Sequence, residues 1–383
     1  MPAKLSMCSQ TQRRLAAASF AVLCLLSLAC HERFADDTAS KKVEKNIANS
    51  PSSNKLEYSD VLRQSRLPNV HTTEVRLKTV QHWKRELLIP ASRMSNLLVL
   101  VLTQDESSWG RNEQDASFRT LDSFLDLIAS TRHPFDRMSL GVLTSSQSSF
   151  GNMKEVVEKA NFRKSHIIYH PGFGTTAGRG ERHDDATQRE RRRSIARLRN
   201  YLMLRTLDSE EHVIWMDADV YWLPAGIIQK MIQQSYMISG TSSCQTGIIT
   251  ARCVQAGNSN YDRNAWLGPR LEPSAAQLYP ARASDAFVPQ PTQETKFMDQ
   301  LVKDTGDDDL VSLDSVGGTI LYMNSESIRQ GLNFPTYYAV GTKWNSTEGY
   351  DGIETEGVCY IAKTLGYGCY GLGGTWVVKH TDG

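Results

Sequence analysis

Val213-Ile214-Trp215-Met216-Asp217-Ala218-Asp219-Val220 is the stretch that decides the fold. A continuous apolar run of this length, closed by polar residues, reads as a strand buried on both faces of a sheet. It ends in two carboxylates with one small residue between them. Side chains two positions apart on a strand face the same way, so Asp217 and Asp219 are expected on one side. In open α/β sheets, ligands bind beyond the carboxyl ends of the strands, where this pair stands. Carboxylate oxygens suit a hard divalent cation such as Mg²⁺ or Mn²⁺. A nucleoside diphosphate needs such a cation to leave as a stabilised anion. The blander reading is a capped turn with solvated aspartates, which an isolated D-x-D does not exclude.

Upstream, strands alternate with helices. Strands are expected at 96–103, 139–144, 165–169 and 212–216, the first being Asn96-Leu97-Leu98-Val99-Leu100-Val101-Leu102-Thr103. Phe118, Leu121, Leu125 and Ile128 recur at helical spacing, and 186–207 carries Ile195, Leu198 and Leu202 on one helical face. This alternation implies a mostly parallel sheet with helices on both sides. Downstream the pattern is less regular. Segments 236–240 and 319–323 are strand-like, 256–273 reads as a long loop, and a helix is expected at 358–365.

Five further features bear on chemistry. The helix before the aspartates carries Arg189, Arg191, Arg192, Arg193, Arg197 and Arg199. Arginine forks suit phosphate, but successive arginines point around a helix and most form a solvated face. Arg199, one turn before Leu202-Met203-Leu204, is the choice for a ligand contact. Leu313-Asp314-Ser315-Val316-Gly317-Gly318-Thr319 places paired glycines where backbone can approach a ligand, or can simply turn tightly into a strand. Gly352-Ile353-Glu354-Thr355-Glu356-Gly357 offers two carboxylates for sugar hydroxyls or proton transfer, which also suit the start of a helix. His380, after Trp376-Val377-Val378, is a possible third metal ligand or an ordinary terminal histidine. Tyr261-Asp262-Arg263-Asn264-Ala265-Trp266 is a polar–aromatic loop that suits sugar stacking or surface packing.

Composition narrows the class. Hydrophobic residues at 40% and charged residues at 22% describe an ordinary globular chain, and a net charge of +1 gives no reason to expect nucleic acid. No nucleophile elbow, P-loop, zinc-peptidase helix or C-x-x-C pair occurs. Seven cysteines in 383 residues do not make a disulfide scaffold; Cys244, Cys253, Cys359 and Cys369 allow up to two bridges, in three pairings. At the start, Lys4, Arg13 and Arg14 precede an apolar run from Leu15 to Cys30. That run fits an uncleaved signal anchor with its basic end in the cytosol, or a cleaved signal peptide; either sends the remainder to a lumen or outside the cell. The expected organisation is a cytoplasmic tail (1–14), an anchor (15–30), a polar stem (31–93) and a folded domain (94–383). A sequon stands at Asn345-Ser346-Thr347.

The motifs taken in order resemble a known family. They are the arginine helix from Gln188 to Asn200, Trp215 to Val220, Tyr261 to Trp266, Leu313 to Thr319, Phe334-Pro335, Ile353 to Gly357, and Gly366-Tyr367 leading to Tyr370-Gly371-Leu372. From Leu97 to His380 the chain resembles the Anp-type fungal mannan-polymerase mannosyltransferases, glycosyltransferase family 62. The resemblance implies a GT-A fold, a Rossmann-like mixed sheet flanked by helices. It implies a GDP-mannose donor, Mn²⁺, a mannan or N-glycan acceptor and a retained α-1,6 linkage. It also implies partner mannosyltransferase subunits and a single-pass type II Golgi membrane protein with a lumenal domain. Carried onto this sequence, it assigns Asp217, Asp219 and His380 to the metal. Thr103, Arg199, Asp217, Gly317 and Gly318 fall to the nucleotide-sugar, and Asp262, Asp314, Glu354 and Glu356 to the sugar and acceptor region. Two other readings fit the same residues: a scaffold subunit with little or no activity, and a GT-A enzyme using a different nucleotide-sugar.

Overall fold

A computed structural model describes residues 70–88, 96–112, 115–172, 185–237, 245–271, 291–337 and 352–381. The chain divides into two units, 1–54 and 55–383, and every described residue lies in the second. The expected anchor, the Asn345 sequon and Cys244 fall outside the described residues. Among those described, no helix is long and apolar enough to cross a membrane.

In chain order the strands are β1 (Val70–Leu77), β2 (Val80–Leu87), β3 (Leu97–Thr103), β4 (Met138–Thr144), β5 (Lys164–Tyr169), β6 (His212–Met216), β7 (Val220–Trp222), β8 (Gln245–Thr250), β9 (Arg252–Val254), β10 (Trp266–Leu267), β11 (Lys296–Phe297), β12 (Leu310–Ser312), β13 (Ile320–Asn324), β14 (Tyr367–Leu372) and β15 (Val377–His380). The helices are α1 (Leu121–Ser130), α2 (Gln147–Glu158), α3 (Asp185–Thr206), α4 (Ile227–Ser235), α5 (Met298–Leu301), α6 (Ser325–Arg329) and α7 (Thr355–Thr364).

Ten strands form one sheet, in the order β1-β2-β5-β4-β3-β6-β13-β8-β14-β12. Neighbours β5, β4, β3 and β6 run parallel, the order of a doubly wound half. Its switch point, where a ligand crevice opens, lies between β3 and β6. β13 is antiparallel to both β6 and β8, and β2 is antiparallel to β5. The sheet is therefore mixed, as the family resemblance implies, and less parallel than the strand–helix alternation alone suggests. Parallel neighbours need a crossover, usually a helix. Among the described residues between β9 and β13, the only helix is the four-residue α5.

Alternation along β3 builds both cores. Leu97, Val99 and Val101 pack with Leu121, Phe124 and Phe150 on one face. Leu98 and Leu100 pack with Ala196, Leu202, Met203 and Val358 on the other. On β4, a Cβ at Gly141 would stand 2.6 Å from Leu100 Cδ2 and 3.4 Å from Leu202 Cδ1. Glycine there lets α3 lie close on the sheet and brings Arg199 over its carboxyl edge.

Two expectations on local structure are overturned. Residues 70–87, assigned to the stem, form a hairpin that extends the sheet through β2–β5, so folded structure begins before residue 94. Every residue of β1 is exposed, while Trp83, Arg85 and Leu87 of β2 are buried. Segment 236–240 opens no strand, because Tyr236 and Met237 close the last turn of α4. Residues 238–240 lie outside the described ones.

A disulfide, Cys359–Cys369, joins α7 to β14 across a separation of 10 residues, and Cys253 is free and buried. Closing a loop of that length removes about 3 kcal/mol of entropy from the unfolded chain. A Cys359→Ala/Cys369→Ala variant is expected to melt about 5 °C or more below wild type. Equal melting temperatures for oxidised wild type and the double variant would show that the bridge contributes no stability.

Candidate metal and diphosphate site

β6 stops at Met216, so Asp217, Ala218 and Asp219 form a turn rather than the end of a strand. The Asp217 N–H donates to the Thr319 carbonyl at 3.0 Å, which ties the turn to the entrance of β13. Val220 opens β7, and β15 pairs with it antiparallel, His380 opposite Val220. Chain return thus sets the imidazole against the turn: His380 Nε2 lies 2.9 Å from Asp219 Oδ1. The other nitrogen, Nδ1, is 2.6 Å from the Thr381 carbonyl, which fixes it as a donor and aims Nε2 at the carboxylate. The Tyr261 ring stacks on the imidazole with centroids 4.2 Å apart.

Asp262 enters from the loop after β9. Its Oδ2 accepts from Thr319 N at 3.1 Å and from Thr319 Oγ1 at 3.0 Å. Thr319 therefore holds Asp262 with its N–H and hydroxyl, and Asp217 with its carbonyl. The glycine pair explains how this fits. A Cβ at Gly317 would lie 2.1 Å from Asp262 Oδ2, and one at Gly318 would lie 2.8 Å from Arg199 Nη2. The space expected for a ligand beside Gly317 and Gly318 is taken by these two side chains.

Arg199 reaches the turn from α3. Nη2 donates to Asp217 Oδ1 at 3.1 Å, and Nε makes an ion-pair contact of 2.9 Å with Glu354 Oε1, without hydrogen-bond alignment. Glu354 stands at the N-cap position of α7 without a side-chain capping hydrogen bond, and Glu356 in the first turn pairs with Arg192 at 2.8 Å. The helix begins three residues earlier than expected, so both glutamates sit at its N-terminus, where the helix dipole favours them.

Electrostatics follow from this crowding. The Asp217 side chain keeps 37% of its surface open, yet protein surrounds the carboxyl closely. Burial and the neighbouring Asp219 charge outweigh the Arg199 ion pair, and its pKa is pushed up to about 7. Burial pulls the His380 pKa down, but the Asp219 hydrogen bond and the charges of Asp219 and Asp217 carry it above the ordinary value. Asp217, Asp219 and Asp262 form a patch that calls for positive charge.

Not every expected residue joins the cluster. Asp314 binds Lys363 and accepts from Gly268 N at 2.9 Å, bracing loops instead of facing the aspartates. Thr103 ends β3 at the switch point, its hydroxyl 3.4 Å from the Leu143 carbonyl. Three residues enter that were not singled out. Thr319 lay inside the glycine motif and was legible there. Asn200 ended the arginine motif. Arg119 gave no signal; it is 6% exposed, donates to the Val220 carbonyl at 2.7 Å and lies close enough to feel the Asp219 charge.

Among the described residues no three His, Cys, Asp or Glu side chains are already gathered around one point as a metal would require. Asp219 and His380 instead touch each other. The donor set nonetheless fits a hard cation. Asp219 contacts an imidazole whose Nδ1 is fixed by a carbonyl, the outer-shell arrangement that aims Nε2 at a ligand, and the Asp217 charge acts on the same imidazole.

Six of the seven ordered motifs therefore meet in one place, through Asp262–Thr319, Arg199–Asp217, Arg199–Glu354 and Asn200–Phe334. A family model described as Anp1 matches residues 90–338, ending before Glu354 and His380. The chain is 28% identical over 222 residues to "Mannan polymerase complex subunit mnn9" of Schizosaccharomyces pombe, covering 56% of this chain and 60% of that protein. It is 24% identical over 305 residues to "Mannan polymerase complex subunit MNN9" of Candida albicans, with coverages of 74% and 79%. It is 26% identical over 212 residues to "Mannan polymerase I complex VAN1 subunit" of Saccharomyces cerevisiae, with coverages of 54% and 37%. With well over half of the chain matched by that model, and with its motifs converging on one site, this protein belongs to the Anp1 family.

Proposed function

We propose that this protein is a metal-dependent mannosyltransferase that moves mannose from GDP-mannose to a mannan or N-glycan acceptor, forming an α-1,6 linkage with retention. The observation that carries the reading is the Asp217–Ala218–Asp219 turn at the β3/β6 switch point, with His380 brought to it by β15. Asp217, Asp219 and His380 would hold Mn²⁺. Bound there, the cation supplies Lewis-acid stabilisation of the departing diphosphate. Asp262, locked by Thr319, presents a fixed carboxylate to the sugar. Glu354 and Glu356 flank the acceptor side from the start of α7. Most of the acceleration would come from positioning and charge compensation. The relatives' names describe subunits of mannan polymerase complexes, which supports other such subunits as partners. A lumenal Golgi domain on an N-terminal anchor completes the proposal, and the disulfide suits that oxidising compartment.

The scaffold reading has one observation in its favour, the direct Asp219–His380 contact that a metal would have to open. Calorimetric titration of GDP, GMP and UDP into the purified domain, with and without Mn²⁺, separates the readings. GDP should bind tightly only with Mn²⁺. UDP binding in its place points to another nucleotide-sugar enzyme, and no nucleotide binding at all points to a scaffold.

A further inference from the structure

We infer that Arg199 is a positioning residue that locks Glu354 against Asp217 and does not itself hold the donor phosphates; its activity readout rests on the transferase reading above. Glu354 is the starting point. It has φ 65° and ψ −127°, in a region that side chains other than glycine rarely adopt. The other positive-φ residues besides glycine, among those described, are Lys78, Ala116 and Arg132. Such a conformation persists only where the surroundings over-determine it.

The surroundings are specific. The Glu354 N–H donates to the Pro335 carbonyl at 2.9 Å. The segment bearing Pro335 is pinned by Asn200, whose Nδ2 donates to the Phe334 carbonyl at 2.7 Å and whose Oδ1 accepts from Phe334 N at 2.9 Å. Packing closes the other side, since a Cβ at Gly357 would stand 2.5 Å from Pro335 Cγ. Consecutive residues of α3 therefore hold Glu354 twice, Asn200 through its backbone and Arg199 through its carboxylate.

Most of the guanidinium is already engaged by this protein's own groups. Its side chain is 6% exposed. It lies beside the Trp215 and Phe334 rings, 5.1 and 5.3 Å from their centroids. One edge engages Asp217, another engages Glu354, and Nη1 is sealed from solvent without an acceptor. A planar fork can bridge two carboxylates and stack on rings together; an ammonium cannot. Arg199 thus sets the distance between the turn and the glutamate, and the expectation that it binds the nucleotide-sugar is replaced by this role.

Arg199→Lys tests it, with Asn200→Ala as a second variant that leaves Arg199 in place. Hydrogen exchange should quicken about tenfold or more at residues 353–357 in both, while β3 and β4 amides keep wild-type protection. In Arg199→Lys, transfer kcat should fall about tenfold to a hundredfold, as a small misplacement does, with Mn²⁺-dependent GDP affinity within about threefold of wild type. Unchanged exchange at 353–357 overturns the inference. So does loss of GDP affinity with kcat retained, which would make Arg199 a phosphate ligand. Wild type that binds no GDP sinks the transferase reading alone, and the exchange result still decides this one.

Discussion

Asp219→Asn is expected to abolish Mn²⁺-dependent GDP binding and to lower mannose transfer at least about a hundredfold, with little change in melting temperature. The structure selects asparagine over alanine. Asp219 Oδ1 is 2.9 Å from His380 Nε2, and His380 is only 5% exposed. Alanine would leave a buried imidazole edge without a partner, at about 1–3 kcal/mol, and would confuse unfolding with lost binding. Asparagine keeps the shape and a hydrogen-bonding oxygen while removing the charge. The Asp219 side chain is 23% exposed and adds little apolar burial, so the fold has small reason to suffer. Charge is what a cation between protein and diphosphate requires. Paired calorimetry and melting curves decide the matter. Mn²⁺-dependent GDP affinity equal to wild type in a folded Asp219→Asn protein would remove the metal assignment and most of the case for a nucleotide-sugar enzyme.

Much of this site was legible because its carriers are strong local signals. The run at 213–216 is wholly apolar, and the strand His212–Met216 stands there. The span 186–207 was read as helix and α3 occupies Asp185–Thr206, since its buried Ala196, Leu202 and Met203 recur at helical spacing. The hairpin was not legible for equally physical reasons. β1 buries nothing, so it leaves no alternation to read. Its turn is Lys78-Thr79 with Lys78 at φ 55°, where the usual signal would be Asn-Gly or Asp-Gly. Arg119 was invisible because its role depends on β7 and the aspartate turn, some hundred residues on. The contact of Pro335 with Glu354 is likewise one that no local periodicity encodes.

The glycine pair has a packing role that the sequence does not show. Paired glycines before a strand suggested backbone laid against a ligand. In the structure their missing Cβ atoms make room for the Asp262 and Arg199 side chains. Gly317 does not adopt the left-handed backbone conformation, which makes space the reason for glycine there.

Gly317→Ala is therefore expected to cut transfer about a hundredfold while costing only about 1–3 kcal/mol of stability. The new methyl carbon would sit 2.1 Å from Asp262 Oδ2 and 2.5 Å from its Cγ, far inside contact distance. Asp262 is a short side chain held by two bonds from Thr319, so it cannot swing aside without losing them. Thr319 also accepts the Asp217 N–H, so a shift there reaches the aspartate turn directly. Nothing in the main core has to move, which is why activity should fall much further than stability. Gly318→Ala is the milder neighbour, because its methyl would meet a guanidinium end at 2.8 Å and Thr355 Cγ2 at 3.4 Å. A double-mutant cycle isolates the cause. In an Asp262→Ala background the clash has no target, so adding Gly317→Ala should change melting temperature and residual activity little. Equal penalties in both backgrounds would show that the alanine acts elsewhere, and a fully active Gly317→Ala enzyme would remove the Asp262–Thr319 lock from the mechanism.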